Sequence, residues 1–393
     1  MITSKKGTYY PALTGVRALA ALMVFFFHDV GSLMLEPNFL IRFLYELDCG
    51  VSIFFVLSGF LITIRYQERI EPSWSWIKSY LRNRFARIYP IYILLTAITF
   101  IAWYLWPQTA FWPWSSFTGV DKLFSLITNL TLTRSFFEPM KFIGVATAWT
   151  LTVEETFYLL APFILLTTSR KFGGLLLWLF GLLGVGVGLV YIHPLLPVAR
   201  DYGFMASINF MLSSTFFGRC SEFLCGIGLA WWLRQEIPTG KKTWTATGLL
   251  SLLLCMGISA GFPIEKSMGG TVVLLFLLQQ LALPLSVCLF FAGLLREQTK
   301  LRLLLETKLF DILGKSSYIF YLLHLGLLND VFSQHISGNI WVRLAAYTLI
   351  SIALYQVVEA PLHKWLKSPQ VRPTPRPMIT LATATQRSSI NTR

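Results

Sequence analysis

Arg17 and His28 stand eleven residues apart in the apolar stretch VRALAALMVFFFHDV. At ~3.6 residues per turn that spacing is close to three turns, so the two share one helix face, about 16 Å apart along the axis. One face thus presents a cation and a titratable imidazole. A neutral imidazole can take the proton of an alcohol as its oxygen attacks a carbonyl, which is the chemistry this residue type fits best. Ionisable groups are costly in a segment this greasy, and by default they mark a substrate or ion pathway. The bland account of the pair is a snorkelling arginine and an interfacial histidine.

Other apolar segments also carry polar groups. Glu154 and Glu155 sit early in AWTLTVEETFYLLAPF. Adjacent helical positions point about 100° apart, so only one of them can face a shared cavity, and Glu154 is a candidate acid or orienting partner for His28. Arg219 and Glu222 in FFGRCSEFLCGIGLA are spaced i, i+3 and can neutralise each other as a structural ion pair. In GKSSYIFYLLHLGLL, Ser317, Tyr321 and His324 recur at helical spacings on a similar face. A single histidine in such a place is usually a packing residue with its nitrogens satisfied. No clustering of His and carboxylate indicates a metal site, and the five cysteines contain no C-x-x-C pair.

The elements that must position these groups are membrane helices. The chain has 393 residues, of which 55% are hydrophobic and 13% charged, and its mean hydropathy is +0.61. An ordinary soluble protein is roughly a quarter charged. At ~20 residues per crossing, about ten windows qualify: 11–33, 49–64, 88–106, 148–166, 174–192, 215–233, 244–262, 271–295, 309–328 and 340–358. The segment 123–132 is too short to cross and is expected to lie in the interface or to re-enter the membrane. The predicted fold is an all-α, polytopic transmembrane helical bundle of about ten spans.

Alternate connections hold roughly 23 of the 33 Lys and Arg residues, which places both termini in the cytoplasm and favours an even number of spans. The first apolar block reads as a retained span, not a cleaved signal, because Arg17 interrupts it and no A-x-A site follows. The net charge of +14 follows the sidedness of a membrane and its lipid headgroups and forms no single patch, so no nucleic acid is expected as a partner. Residues 1–366 form the membrane domain. Residues 367–393, rich in Pro, Ser and Thr, form a basic, disordered cytoplasmic tail.

At these residues the chain resembles acyltransferase family 3 of integral membrane proteins, over nearly all of 10–366. The most specific element is an Arg, ten residues, His pattern in the first span, matched by Arg17 and His28. GVSIFFVLSGFLIT, RNRFARIYPIY, WTLTVEETFYLLAP, GRCSEFLCGIGLA, GKSSYIFYLLH and VVEAPLHKWL follow in the family's order. Thr150 replaces a usual Ser, and Ala360 a common Arg.

The resemblance implies transfer of an acyl group, commonly acetyl, from acyl-coenzyme A on the cytoplasmic side to a hydroxyl of a carbohydrate or related secreted acceptor; the lack of long eukaryotic-style extensions leans toward a bacterial inner membrane as the expected location. It assigns His28 as base, Arg17 to the donor and Glu154 as a participant. The donor is a co-substrate, and no permanently bound cofactor is implied. The pantetheine arm is roughly as long as the Arg17 to His28 separation, and Arg82, Arg84 and Arg87 form a cluster suited to its phosphates. Glu155, Arg219, Glu222, Ser317, Tyr321 and His324 are expected to shape the cavity. With no soluble second domain in the sequence, the enzyme either stands alone or uses a separate acyl-accepting protein. The rival reading is a transporter or flippase using the same charges as a substrate or proton path.

Overall fold

A computed structural model describes residues 9–32, 38–106, 114–195, 197, 201–235, 243–262 and 270–367. Most of the N-terminal stretch and the expected tail lie outside them. The principal helices are α1 (Pro11–Ser32), α2 (Gly50–Tyr66), α3 (Trp74–Leu105), α4 (Gly119–Leu130), α5 (Trp149–Thr167), α6 (Phe172–Ile192), α7 (Phe216–Trp232), α8 (Trp244–Ala260), α9 (Leu283–Arg296), α10 (Lys308–Leu323) and α11 (Ile340–Leu354). A π-helical turn, Leu278–Ala282, leads into α9, and a second, Tyr355–Glu359, joins α11 to a final helix, Ala360–Leu366. No strand occurs among the described residues. The protein is an integral, multi-pass helical membrane protein.

Seven helical segments among the described residues are long and apolar enough to cross a bilayer: Pro11–Val30, Phe39–Arg69, Trp74–Leu105, Ala146–Thr167, Phe172–Leu195, Leu274–Arg296 and Ile340–Leu366. They correspond to seven of the ten expected windows. The other three are helical but shorter, with 17 residues in α7, 17 in α8 and 16 in α10.

Hydrogen bonds gather the basic connections at one end of the bundle. Glu68 takes Arg170 at 2.6 Å and Arg234 at 2.5 Å. Arg296 donates to Leu233 O at 2.8 Å, Arg82 to Leu366 O at 2.7 Å, and Tyr9 to Asp311.

α2 and α7 form the centre of the bundle, and most of their residues are buried. Gly59 of α2 and Gly226 of α7 let the two backbones touch: a Cβ on Gly226 would lie 2.7 Å from Phe60 N. Small residues serve this purpose where lipid removes the hydrophobic drive between helices. Gly226→Leu is expected to cost at least ~1–3 kcal/mol through overpacking and to lower the thermal unfolding midpoint in detergent. Gly173→Leu, in open space on α6, is the control expected to leave the midpoint unchanged, and equal midpoints for both variants would refute this account of the packing.

α4 is amphipathic in the inverted sense. Ser125, Thr128 and Asn129 are buried, whereas Val120, Leu123 and Ile127 face outward, as expected of a short helix lying against lipid. Its start is fixed by a capping box between Thr118 and Asp121. The same hydroxyl and backbone N–H of Thr118 hold the Asp121 carboxyl below its usual range.

Candidate active site

α1 is clamped between glycines of its neighbours. Gly50 of α2 abuts Ala20 and Val24, and Gly314 of α10 abuts Thr14. This close approach brings α1, α2, α5 and α10 around a cavity of about 400 Å³. Its cations are Arg17, Arg65, Arg84, Arg87 and Lys315, with His363 of the last helix beside them. Tyr9, Arg65 and His363 belong to the end where the basic connections gather, and the lining runs inward to Val51, Phe54, Thr150 and Tyr321.

Arg17 faces this chamber with its Nε buried and unpartnered. Among the described residues no carboxylate forms an ion pair with it. Arg87, by contrast, is paired with the buried Glu359 on the π-helical turn. Arg84 donates to Tyr66 OH at 3.0 Å and lies 5.4 Å and 5.6 Å from the ring centroids of Tyr66 and Tyr158. Arg82 is not on the lining; its guanidinium holds the carbonyl of Leu366, strapping the last helix onto α3. Sequence reasoning missed Arg65, Lys315 and His363. The i, i+3 spacing of Lys315 and Tyr318, which is also on the lining, could have signalled it.

Glu154 lies on the lining, and Glu155 does not, in keeping with the ~100° between neighbours on a helix. Glu154 accepts hydrogen bonds from Ser58 and from Tyr158 OH, the latter at 2.7 Å. It makes none with His28, so the expected role of Glu154 in orienting that ring has no contact behind it. The carboxylate instead sits in the chamber that holds Arg17.

His28 lies beyond the inner end of the cavity. Its Nδ1 is 2.9 Å from Val24 O and 3.1 Å from His324 Nε2. His324 is 2% exposed, and its Nδ1 is buried with no hydrogen-bond partner among the described residues. The backbone of Phe320 and Tyr321, one turn back in its own helix, lies beside the ring, and the ring's Nε2 is given to His28.

Tyr321 lines the cavity and packs against His324 on its other side. Its OH donates to Thr147 O at 3.2 Å and accepts from Thr150 Oγ1 at 3.1 Å. Its ring centroid is 5.9 Å from that of Phe54 on the cavity side and 5.6 Å from that of His324 on the other. Ser317, also expected near the site, is buried and turned back onto Gly314 O at 2.9 Å.

Arg219 and Glu222 form a two-pronged ion pair, with Nε to Oε2 at 2.8 Å and Nη2 to Oε1 at 2.6 Å, and Arg219 also reaches Ser52 Oγ at 3.2 Å. They lie outside the cavity lining and tie α7 to α2. Asp29, the neighbour of His28, is held by Arg343 of α11, which also reaches Asn329 Oδ1 at 3.2 Å. This anchor, 314 residues apart in the chain, left no local sequence signal. Among the described residues no three His, Cys, Asp or Glu side chains are grouped as metal ligands.

The site therefore offers a cationic chamber at the basic end and an imidazole pair beyond its inner end. A family model described as an acyltransferase domain matches residues 10–358. A Staphylococcus aureus (strain COL) protein whose name reads "Putative O-acetyltransferase" is 26% identical over 386 residues, covering 92% of this chain and 58% of that protein. A peptidoglycan O-acetyltransferase of Listeria monocytogenes is 24% identical over 384 residues, covering 91% of this chain and 56% of its own length. An acyltransferase of Streptomyces mycarofaciens is 26% identical over 330 residues, covering 80% of this chain and 78% of its own. The chain thus spans little more than half the length of the first two. No solved structure matches it.

Proposed function

This chain belongs to the acyltransferase family of integral membrane proteins, and on that premise we propose that it moves an acetyl group from acetyl-coenzyme A to a hydroxyl of a carbohydrate or related secreted acceptor. One observation carries the reading: α1 presents Arg17 to a chamber of cations and, eleven residues on, carries His28, which meets His324 outside the chamber's lining. Coenzyme A has the matching polarity, with phosphates at one end and a thioester at the other of a long, thin arm.

In this reading the basic end faces the cytoplasm of a bacterial cell and takes the donor's phosphates. Arg17, without a carboxylate partner among the described residues, has its charge available to the donor. Arg84 and Arg65 add field, and Arg82 acts indirectly by keeping the last helix, with His363, at the chamber. The thioester passes Tyr321 and Phe54 to reach His28. The acceptor oxygen attacks the thioester carbonyl while His28 Nε2 takes its proton, the C–S bond breaks, and the imidazolium returns the proton to the thiolate, leaving an ester and free thiol. Glu154 serves the donor end of the path. Names of the relatives from S. aureus and L. monocytogenes support acetyl as the group, and that of the L. monocytogenes protein supports peptidoglycan as an acceptor class. An acyl-accepting partner protein would extend the same chemistry.

The test is release of free coenzyme A from radiolabelled acetyl-coenzyme A by the purified protein, with sugar acceptors present. Hydrogen bonds to a charged group contribute ~1.5–3 kcal/mol, so Arg17→Ala is expected to raise the donor KM about 10- to 100-fold. An unchanged KM would remove Arg17 from the donor site. If the wild type neither binds nor turns over acetyl-coenzyme A, the transporter reading takes precedence.

A further inference from the structure

His28 Nδ1 faces two groups at once, and they are not equivalent. Val24 O, at 2.9 Å, can only accept a hydrogen bond. The contact is favourable only when Nδ1 carries the proton, which leaves His28 Nε2 as a bare lone pair. His324 Nε2, at 3.1 Å from the same Nδ1, must then be the acceptor, so the proton of neutral His324 sits on its Nδ1. That atom is the buried one without a partner among the described residues.

We propose that His324 is a positioning residue for His28: its Nε2 shares the Nδ1–H of His28 with Val24 O, fixes the tautomer that bares His28 Nε2, and receives the stronger hydrogen bond once that nitrogen is protonated. The inference rests on the reading of His28 as base. A neutral imidazole acceptor supports the transient imidazolium without placing a second charge in the membrane, and hydrogen bonds from an ionised donor are the stronger ones. The ring of His324 is held for the task. Phe320 lies nearly parallel to it, at 14° and 6.2 Å between centroids, and Phe25 meets it edge-on at 6.3 Å. His324 gives its Nε2 to His28 across the helix interface, while the backbone of Phe320 and Tyr321 lies beside the other side of the ring.

Glutamine and asparagine separate this role from a structural one. The amide oxygen of Gln reaches the place of Nε2, whereas that of Asn falls at the place of Nδ1 and cannot meet His28. The full chain in nanodiscs is assayed for turnover of radiolabelled acetyl-coenzyme A with methyl glycosides or water as acceptor, for wild type, His324→Gln, His324→Asn and His28→Ala. His324→Asn is expected to lose about 100-fold in kcat with donor KM within about twofold, and His324→Gln to recover to within about tenfold of wild type. Equal kcat for the Gln and Asn variants, both folded, would overturn the proposal, as would a loss expressed in KM alone. Turnover by His28→Ala at the wild-type rate would instead defeat the reading of His28 as base.

Discussion

His28→Ala is expected to lower acetyl transfer by about 1,000-fold while leaving donor affinity within about twofold of wild type. Positioned general bases contribute ~10²- to 10⁴-fold, and a 1,000-fold loss corresponds to ~4 kcal/mol of transition-state stabilisation. The separation of effects follows from the geometry. His28 is outside the lining of the cationic chamber, with Phe54 and Tyr321 between, so removing its ring leaves every donor-facing cation in place. Donor binding is measured with labelled acetyl-coenzyme A and turnover by release of free thiol, on the same preparation. A variant retaining a tenth or more of wild-type turnover would remove His28 from proton transfer. A parallel loss of binding would mean that the chamber and the imidazole are one compartment.

The second large effect is structural and is expected at Arg134. Its side chain is fully buried, and its guanidinium donates to Asn129 Oδ1 at 2.9 Å and to the carbonyls of Ile143 and Val145. Asn129 O also accepts from Tyr92 OH at 2.8 Å, so one guanidinium ties α3, α4 and the connection into α5 together. That connection carries Thr147, and the first turn of α5 carries Thr150; the two hold Tyr321 at the inner end of the cavity. Arg134→Met keeps the apolar stem and leaves three buried acceptors without their donor. At ~1–3 kcal/mol for each unmade bond, allowing for partial relaxation, the expected cost is roughly 3–6 kcal/mol, a large share of the ~5–15 kcal/mol that keeps a typical protein folded. The readout is the thermal midpoint of the detergent-solubilised protein, together with its yield as a monodisperse peak. Wild-type values for both would show that the buried guanidinium contributes no net stability.

Much of this protein is written in local sequence. Segments such as 11–30, 88–105 and 172–195 are long, apolar and nearly free of charge, and a bilayer leaves such a chain no choice but a helix, because every backbone N–H and C=O must be satisfied within the segment. The spacing of Arg17 and His28 is likewise a property of one helix, as is the divergence of Glu154 and Glu155 and the i, i+3 pairing of Arg219 with Glu222. Each was legible because its geometry depends on residues a few positions apart.

What the sequence could not determine depends on which helices touch. His324 meets His28 across 296 residues, Arg343 meets Asp29 across 314, and Glu359 meets Arg87 across 272. No periodicity within one segment carries such pairings. They are set by packing, through glycines at 50, 59, 226 and 314 that allow backbones to approach. The same packing moved Glu154 away from His28, took Arg82 off the cavity lining and brought Lys315 and His363 onto it. Residue types and helical period therefore determined which side chains could do chemistry, and tertiary contact decided which of them face one another, because a helix fixes the direction of its side chains but not the neighbour they meet.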